Sequence, residues 1–216
     1  WSKKWLMPLN LNKCVVLHVG QNNPMLDYSI NGVPLVKVDS VSDLSITVTS
    51  DLSWSSHITK VVKKANRIGY LITKAFEKAN MLTVVKLYTG YIRPILEFGN
   101  SVWYPVLTGD KNLLEGVQRR ITRIPFGIRR PSYEQRLSLI NLPVAYRQLR
   151  GDIITTFLAV TNIGSPINPI YVLNVGTKTR GHCYKLKKES FRFLTRQYFL
   201  SNRVFNVWNS LPDYII

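Results

Sequence analysis

Apolar and polar positions follow two rhythms along this chain of 216 residues. Over the first fifty residues the apolar runs are short and bounded by turn residues. Residues 14–19 fit a buried strand. Residues 28–30 and 33–38 flank Asn31-Gly32, a pair that accepts the positive φ of a tight hairpin turn. Residues 44–49, rich in β-branched side chains, predict a third strand. Ahead of these, Trp1 and Trp5 are four residues apart and would share a helix face before Pro8.

From residue 55 the period becomes helical. Ser55-Ser56 offers a cap, and the helix is predicted to run to about residue 76. Ile58, Val61, Val62, Ala65, Ile68, Ile72 and Ala75 gather on one side; Lys60, Lys63, Lys64, Arg67 and Lys74 gather on the other. A second helix is predicted over 82–103, which Pro94 must kink or split. A third covers 111–124, with Leu113, Leu114, Val117, Ile121 and Ile124 as its apolar set. Arg119, Arg120 and Arg123 flank that set, and Glu115 is spaced to pair with Arg119. Two further helices are predicted at 132–141 and 144–161. The uncharged run 153–177 contains Asn162, Gly164, Pro166, Asn168, Pro169 and Asn174, so it is not a spanning helix and its later part reads as a loop. A last helix is predicted over 191–209, stopped by Pro212. On it Arg192, Arg196, Phe199 and Arg203 would fall within about 60° of arc. Phe193, Phe205 and Trp208 are assigned to the core. The fold class is α+β, mainly α: a small antiparallel β portion (1–52), a helical portion (53–108) and a helical basic portion (109–216).

Charge changes this picture. The chain has 29 Lys+Arg against 12 Asp+Glu, a formal +17. Residues 1–108 hold 12 basic and 6 acidic residues, and residues 109–216 hold 17 and 6. Segment 115–150 has eight Arg and two Glu; segment 178–203 has eight basic residues and one Glu. Such clusters attract polyanions, with nucleic acid the leading partner and an anionic membrane surface second; the bland alternative is a solvated basic surface. With 45% apolar residues, five Trp and eleven Tyr, the chain is not a disordered polycation. The lysine stripe on the first helix is either a phosphate-tracking face or an ordinary wet one. The arginine row with Phe199 suits phosphate contact and stacking, unless Phe199 belongs to the core.

Catalytic constellations are sparse. Two-metal phosphoryl transfer needs paired carboxylates, and the acids here are scattered; Asp39 and Asp43 are the closest pair in the strand-rich part. His18, His57 and His182 lack metal-ligand spacing, and His57 reads as a residue of a helix start. His182-Cys183 lies in a basic stretch. Two cysteines, Cys14 and Cys183, make neither a disulfide scaffold nor a four-cysteine metal site. A Gly-rich phosphate loop and a nucleophile elbow are missing. The residues argue binding rather than chemistry. The first residue is Trp and no signal core follows, so the chain reads as a fragment or a processed product.

Several motifs occur in a familiar order. They are Trp5 with Asn10-x-x-Lys13; Asp43-Leu44; Asp51-Leu52-Ser53-Trp54-Ser55-Ser56-His57-Ile58; and Leu87-Tyr88-x-x-Tyr91-Ile92-Arg93-Pro94-Ile95-Leu96-Glu97-Phe98-Gly99 with Val102-Trp103. Then come Leu114-Glu115-x-Val117-Gln118-Arg119-Arg120-x-Thr122-Arg123, Tyr133-x-x-Arg136-Leu137, Thr179-Arg180-Gly181-His182 and Arg203-x-x-x-x-Trp208-Asn209-x-Leu211-Pro212. In these the chain resembles the carboxy-terminal part of jockey-like non-LTR retrotransposon endonuclease–reverse transcriptases, over nearly its whole length. The resemblance implies a fragment of an RNA-directed DNA polymerase: the end of the palm (1–52), a thumb (53–108) and a basic carboxy-terminal region (109–216). It implies that the catalytic aspartates and their Mg²⁺ belong to an upstream palm turn, with fingers and endonuclease further upstream. It implies that Lys13 protonates the pyrophosphate leaving group, although Lys13 also reads as a surface residue beside a strand. It implies a primer-gripping hairpin at 28–49, where the family usually has Leu-Gly and this chain has Leu44-Ser45. The implied partners are an RNA template and a DNA primer or target, not a membrane; the implied compartment is the nucleus, after a cytoplasmic ribonucleoprotein stage. No cofactor is expected within the fragment itself, and the cysteine–histidine knuckle of some other groups is missing. The expected nucleic-acid contacts are Lys60, Lys63, Lys64, Arg67, Lys74, Arg119, Arg120, Arg123, Arg192, Arg196 and Arg203. The alternatives are a stand-alone nucleic-acid-binding module and a non-functional remnant of a mobile element.

Overall fold

A computed structural model describes residues 4–20, 22–127, 131–140, 144–161, 171–174 and 181–216. The chain divides into two compact units, Trp1–His57 and Ile58–Ile216. About 52% of it is helical and its strands are short, which makes the fold α+β, mainly α.

The first unit is built of strand pairs. Asn31 (φ 52°) and Gly32 (φ 78°) form the expected hairpin turn between β2 (Ser29–Ile30) and β3 (Val33–Pro34). The ladder runs on past Pro34, where Leu35 N–H donates to Tyr28 O at 2.8 Å. The chain continues as β4 (Val36–Val38), which pairs in parallel with β1 (Val15–Leu17). The β portion is therefore not wholly antiparallel. The 18 residues between β1 and β4 are long enough for the crossover that parallel pairing requires. β5 (Ser40–Asp43) and β6 (Ile46–Thr49) make a second antiparallel hairpin. The strand expected from residue 44 begins at Ile46, because Leu44 (φ 45°) and Ser45 (φ 69°) are the turn itself. Residues 4–6 form a turn rather than a helix, with Trp5 exposed; Trp1 lies outside the described residues. Among the described residues of this unit only Ile46 is a buried hydrophobic, whereas Leu6, Met7, Leu9, Met25, Leu26 and Val36 are exposed.

The second unit is helical. Most of α1 (Ser55–Ala75) belongs to it, burying Ile58, Val62, Ala65 and Ile72 while Ala75 stays exposed. A Cβ on Gly69 would lie 2.7 Å from Ile121 Cδ1, so the missing side chain lets α1 approach α4 (Thr108–Ile121). Between them runs one helical stretch in three parts. These are α2 (Met81–Leu87), a π-helical turn Tyr88–Ile92, and α3 (Arg93–Glu97). The widened turn relieves the clash of the Pro94 ring with the carbonyl four residues back. The stretch stops at Glu97 rather than 103: Phe98 is extended and Gly99 has φ 66°. Trp103 is instead buried, its Nε1–H donating to Phe98 O at 2.8 Å.

Leu114, Val117 and Ile121 of α4 are buried, but Leu113 is exposed. Ser132 and Gln135 exchange hydrogen bonds at 3.2 and 2.9 Å, a capping box that starts α5 (Tyr133–Ile140). α6 (Val144–Thr161) matches the expected span. The loop expected up to 177 falls mostly outside the described residues; within it Tyr171 is buried and Leu173 bridges to Leu186. The last expected helix is broken into α7 (Leu194–Gln197) and α8 (Leu200–Ser210). Side chains take over carbonyls that a continuous helix would use. Asn202 Nδ2 donates to Arg196 O at 2.8 Å, and Arg203 Nη1 donates to Tyr198 O at 3.1 Å.

Leu200, Val204 and Trp208 of α8 pack into one core with Ala159, Val160, Tyr171 and Leu186. Polar bonds close it. Trp208 Nε1 donates to Tyr184 O at 2.8 Å, His182 Nε2 donates to Trp208 O at 3.0 Å, and the Asn209 amide exchanges two bonds with the Leu186 backbone. Phe205 is half-buried, but Phe193, expected in the core, is exposed.

Candidate nucleic-acid interface

The two units differ in charge. Residues 1–57 hold 4 basic and 4 acidic residues, whereas 58–216 hold 25 and 8, so the whole excess of +17 lies in the second unit. Lys60, Lys63, Lys64, Arg67 and Lys74 are all exposed on α1, opposite its buried face. Arg119, Arg120 and Arg123 are exposed at the end of α4 and just beyond it. The helix packing at Gly69 and Ile121 links these two groups: Arg120 Nη1 donates to Asn66 Oδ1 at 2.7 Å, beside Arg67.

Arg119 lies 4.6 Å from the centroid of the Tyr133 ring, and Arg136 lies 5.4 Å from it. The Glu115–Arg119 pair is not among the ion pairs of the described residues. Burial first, and then the Glu115 charge, push the Tyr133 hydroxyl well above the usual phenol range. Arg119, Arg123, Tyr133 and Arg136 line an open recess of about 430 Å³. Glu134 lines it too, its carboxyl held below the usual range by backbone and Ser132 hydrogen bonds.

The arginine row expected near the carboxy terminus does not exist as a row. The break between α7 and α8 separates its members. Arg203 is an internal residue with an 8% exposed side chain. Its Nε and Nη2 meet the two carboxylate oxygens of Asp152 at 2.8 and 2.7 Å, and Nη2 also donates to Asn100 O at 2.7 Å. It is a structural cation, not a phosphate contact. Arg196 is exposed but paired with Glu189 and stacked 4.8 Å from the Phe199 centroid. Arg192 is exposed.

A second internal cation escaped the sequence reading. Arg147, also 8% exposed at its side chain, pairs with Glu97 at 2.7 Å and donates to Tyr88 Oη and Gln118 Oε1 at 3.2 Å. Tyr88 donates to Gln118 Oε1 at 2.9 Å, and Arg93 pairs with Glu97 from the other side at 2.8 Å. Only a count of charges per turn against nearby acids on other helices would have pointed to Arg147, and no spacing rule reaches across 50 residues.

Lys13 ends a short 3₁₀ turn, Leu11–Lys13, whose Asn10 side chain accepts Asn12 N–H at 3.2 Å; Lys13 itself is exposed. The carboxylates do not fit a two-metal site. Asp152 and Glu97 are committed to arginines, and Asp39 and Asp43 are exposed on a short hairpin. Among the described residues no three His, Cys, Asp or Glu side chains gather as a metal site. His57 is buried, its Nδ1 accepting Thr47 N–H at 3.3 Å. Cys183 is exposed, whereas its neighbour His182 is buried against Trp208. No described helix is long and apolar enough to cross a membrane. No family model matches the chain, and neither does any curated protein or solved structure.

Proposed function

We propose that the chain is the carboxy-terminal part of a non-LTR retrotransposon reverse transcriptase, holding an RNA template and its DNA primer through the second unit. The observation that carries this reading is the charge partition. The full excess sits in the helical unit, where Arg147 and Arg203 consume two of the acids internally and the α1 and α4 cations face outward. A surface of this kind neutralises phosphates without reading sequence. The first unit supports a palm end rather than a stand-alone module. It leaves half of its described apolar residues exposed and contains an isolated parallel strand pair, a pairing that occurs almost only in sheets covered on both faces. Lys13 is then the residue that protonates the leaving group, and the metal-binding carboxylates lie upstream. The fragment holds nucleic acid and does not polymerise alone; the complete enzyme acts in the nucleus.

A salt titration of binding to an RNA–DNA hybrid tests the reading. With ~5 phosphates neutralised, the slope of log affinity on log salt is about −4 to −5. Replacing Lys60, Lys63 and Lys64 by Gln lowers the magnitude of the slope by about 3, roughly one per lost phosphate contact. A flat slope for the unaltered chain rejects phosphate contact and the proposal with it.

A further inference from the structure

Tyr104 and Tyr198 stack with their ring planes 10° apart and their centroids 5.5 Å apart. They line a recess of about 300 Å³ within the second unit. The Asp152–Arg203 pair also lines it, as do the amide side chains of Gln197, Asn202 and Asn206. The walls are held from behind. The Arg203 guanidinium lies 4.9 Å from the Tyr104 centroid and ties α8 to Asp152, to Asn100 O and to Tyr198 O. Lys111 Nζ stands 5.8 and 5.9 Å from the two ring centroids, and the exposed Lys188 lines the recess as well.

We propose that this recess receives one unpaired nucleobase of a single strand. Phenol rings are stacking surfaces that accept any base. Three amides supply both donors and acceptors for base edges. Lys111 and Lys188 supply positive charge for the flanking phosphates. The volume is at the small end of ligand sites, roughly 300–1,000 Å³, which suits one base and excludes a duplex. Asp152 does not repel the strand, because Arg203 neutralises it within the fold. The inference rests on the nucleic-acid reading above and adds a preference that charge alone cannot produce: bases matter, not only phosphates.

Fluorescence anisotropy with the full chain tests it, comparing a single-stranded oligonucleotide of about 12 residues with an abasic strand of the same length. The expected result is roughly ten-fold tighter binding of the base-bearing strand. Tyr198→Leu and, separately, Asn206→Ala then reduce that preference and leave the abasic strand unchanged. A Lys63→Gln, Lys64→Gln double variant weakens both strands alike. Equal affinity of the unaltered chain for both strands overturns the base-binding recess while leaving phosphate contact intact. A base preference that survives both recess variants also overturns it, by placing the base elsewhere. Failure to bind either strand overturns this inference together with the proposed function. The comparison of the two strands uses the unaltered chain, so a variant that misfolds does not shield the proposal.

Discussion

At the scale of single residues, burial separates cations that build the fold from cations that face outward. Arg203 and Arg192 are eleven positions apart and read alike in the sequence, yet one is internal and the other exposed. Removing one partner of a buried pair leaves the other charge uncompensated, so Arg203→Ala should cost roughly 3–5 kcal/mol. Arg192→Gln should stay within about 0.5 kcal/mol. Urea denaturation of the two variants checks both values. Tyr171 adds a pH signature. Burial first, and then the Asp152 charge, raise its hydroxyl above the usual value, while its bond with Thr156 at 3.0 Å works the other way. In the unfolded chain a tyrosine releases its proton near pH ~10. Above that pH the unfolded state binds fewer protons than the native state, so stability falls as pH rises. The contribution is fully present below pH ~10 and is lost above it. Tyr171→Phe should make the decline between pH ~9 and ~11 less steep, as followed by denaturation at each pH.

At the scale of elements, the Leu44-Ser45 turn holds two successive non-glycine residues at positive φ, as a two-residue hairpin of this hand demands. A non-glycine residue in that region costs roughly 1–2 kcal/mol. Ser45→Gly should therefore stabilise the β5–β6 hairpin by about 1 kcal/mol, visible as slower amide exchange across Ser40–Asp43 and Ile46–Thr49. Much at this scale was legible in the chain. The Asn31-Gly32 turn, the span of α1 with its two faces, and α6 all follow from local period and turn chemistry. What stayed hidden depends on side chains that reach back five or six residues to a backbone carbonyl, outside any helical period. The end of α3 is held by Trp103 reaching back to Phe98, and the break before α8 by Asn202 and Arg203. No proline or glycine marks that second break, so the helical period ran straight through it and aligned arginines that the fold separates. Many residues of the motifs quoted from the sequence prove to be internal polar ties. Glu97 meets Arg147, Arg136 donates to Thr122 Oγ1 and Arg119 O, and His182 and Asn209 close the core around Trp208. The exposed cations on α1 are legible for the opposite reason: an amphipathic face is defined by its own helical period.

At the scale of the whole molecule, the two units divide labour between apolar and electrostatic surface. The first is neutral and poorly buried; the second carries the core and the charge. Local stability follows buried apolar contact, so backbone amides in the first unit should exchange faster than those of α1, α4 and α8. Hydrogen exchange followed by mass spectrometry reads this directly; equal protection of both units would contradict it. The hydrogen bonds of Arg203 span 51 residues to Asp152 and 103 to Asn100. Contacts so far apart in the chain form slowly, because the intervening loop must close first. Before α8 docks, Asp152 lacks the Arg203 guanidinium, and its carboxylate is expected to stay hydrated. Arg203 is thus a latch in time as well as in space: the core that α8 shares with Ala159, Val160, Tyr171 and Leu186 should close only once α8 has docked.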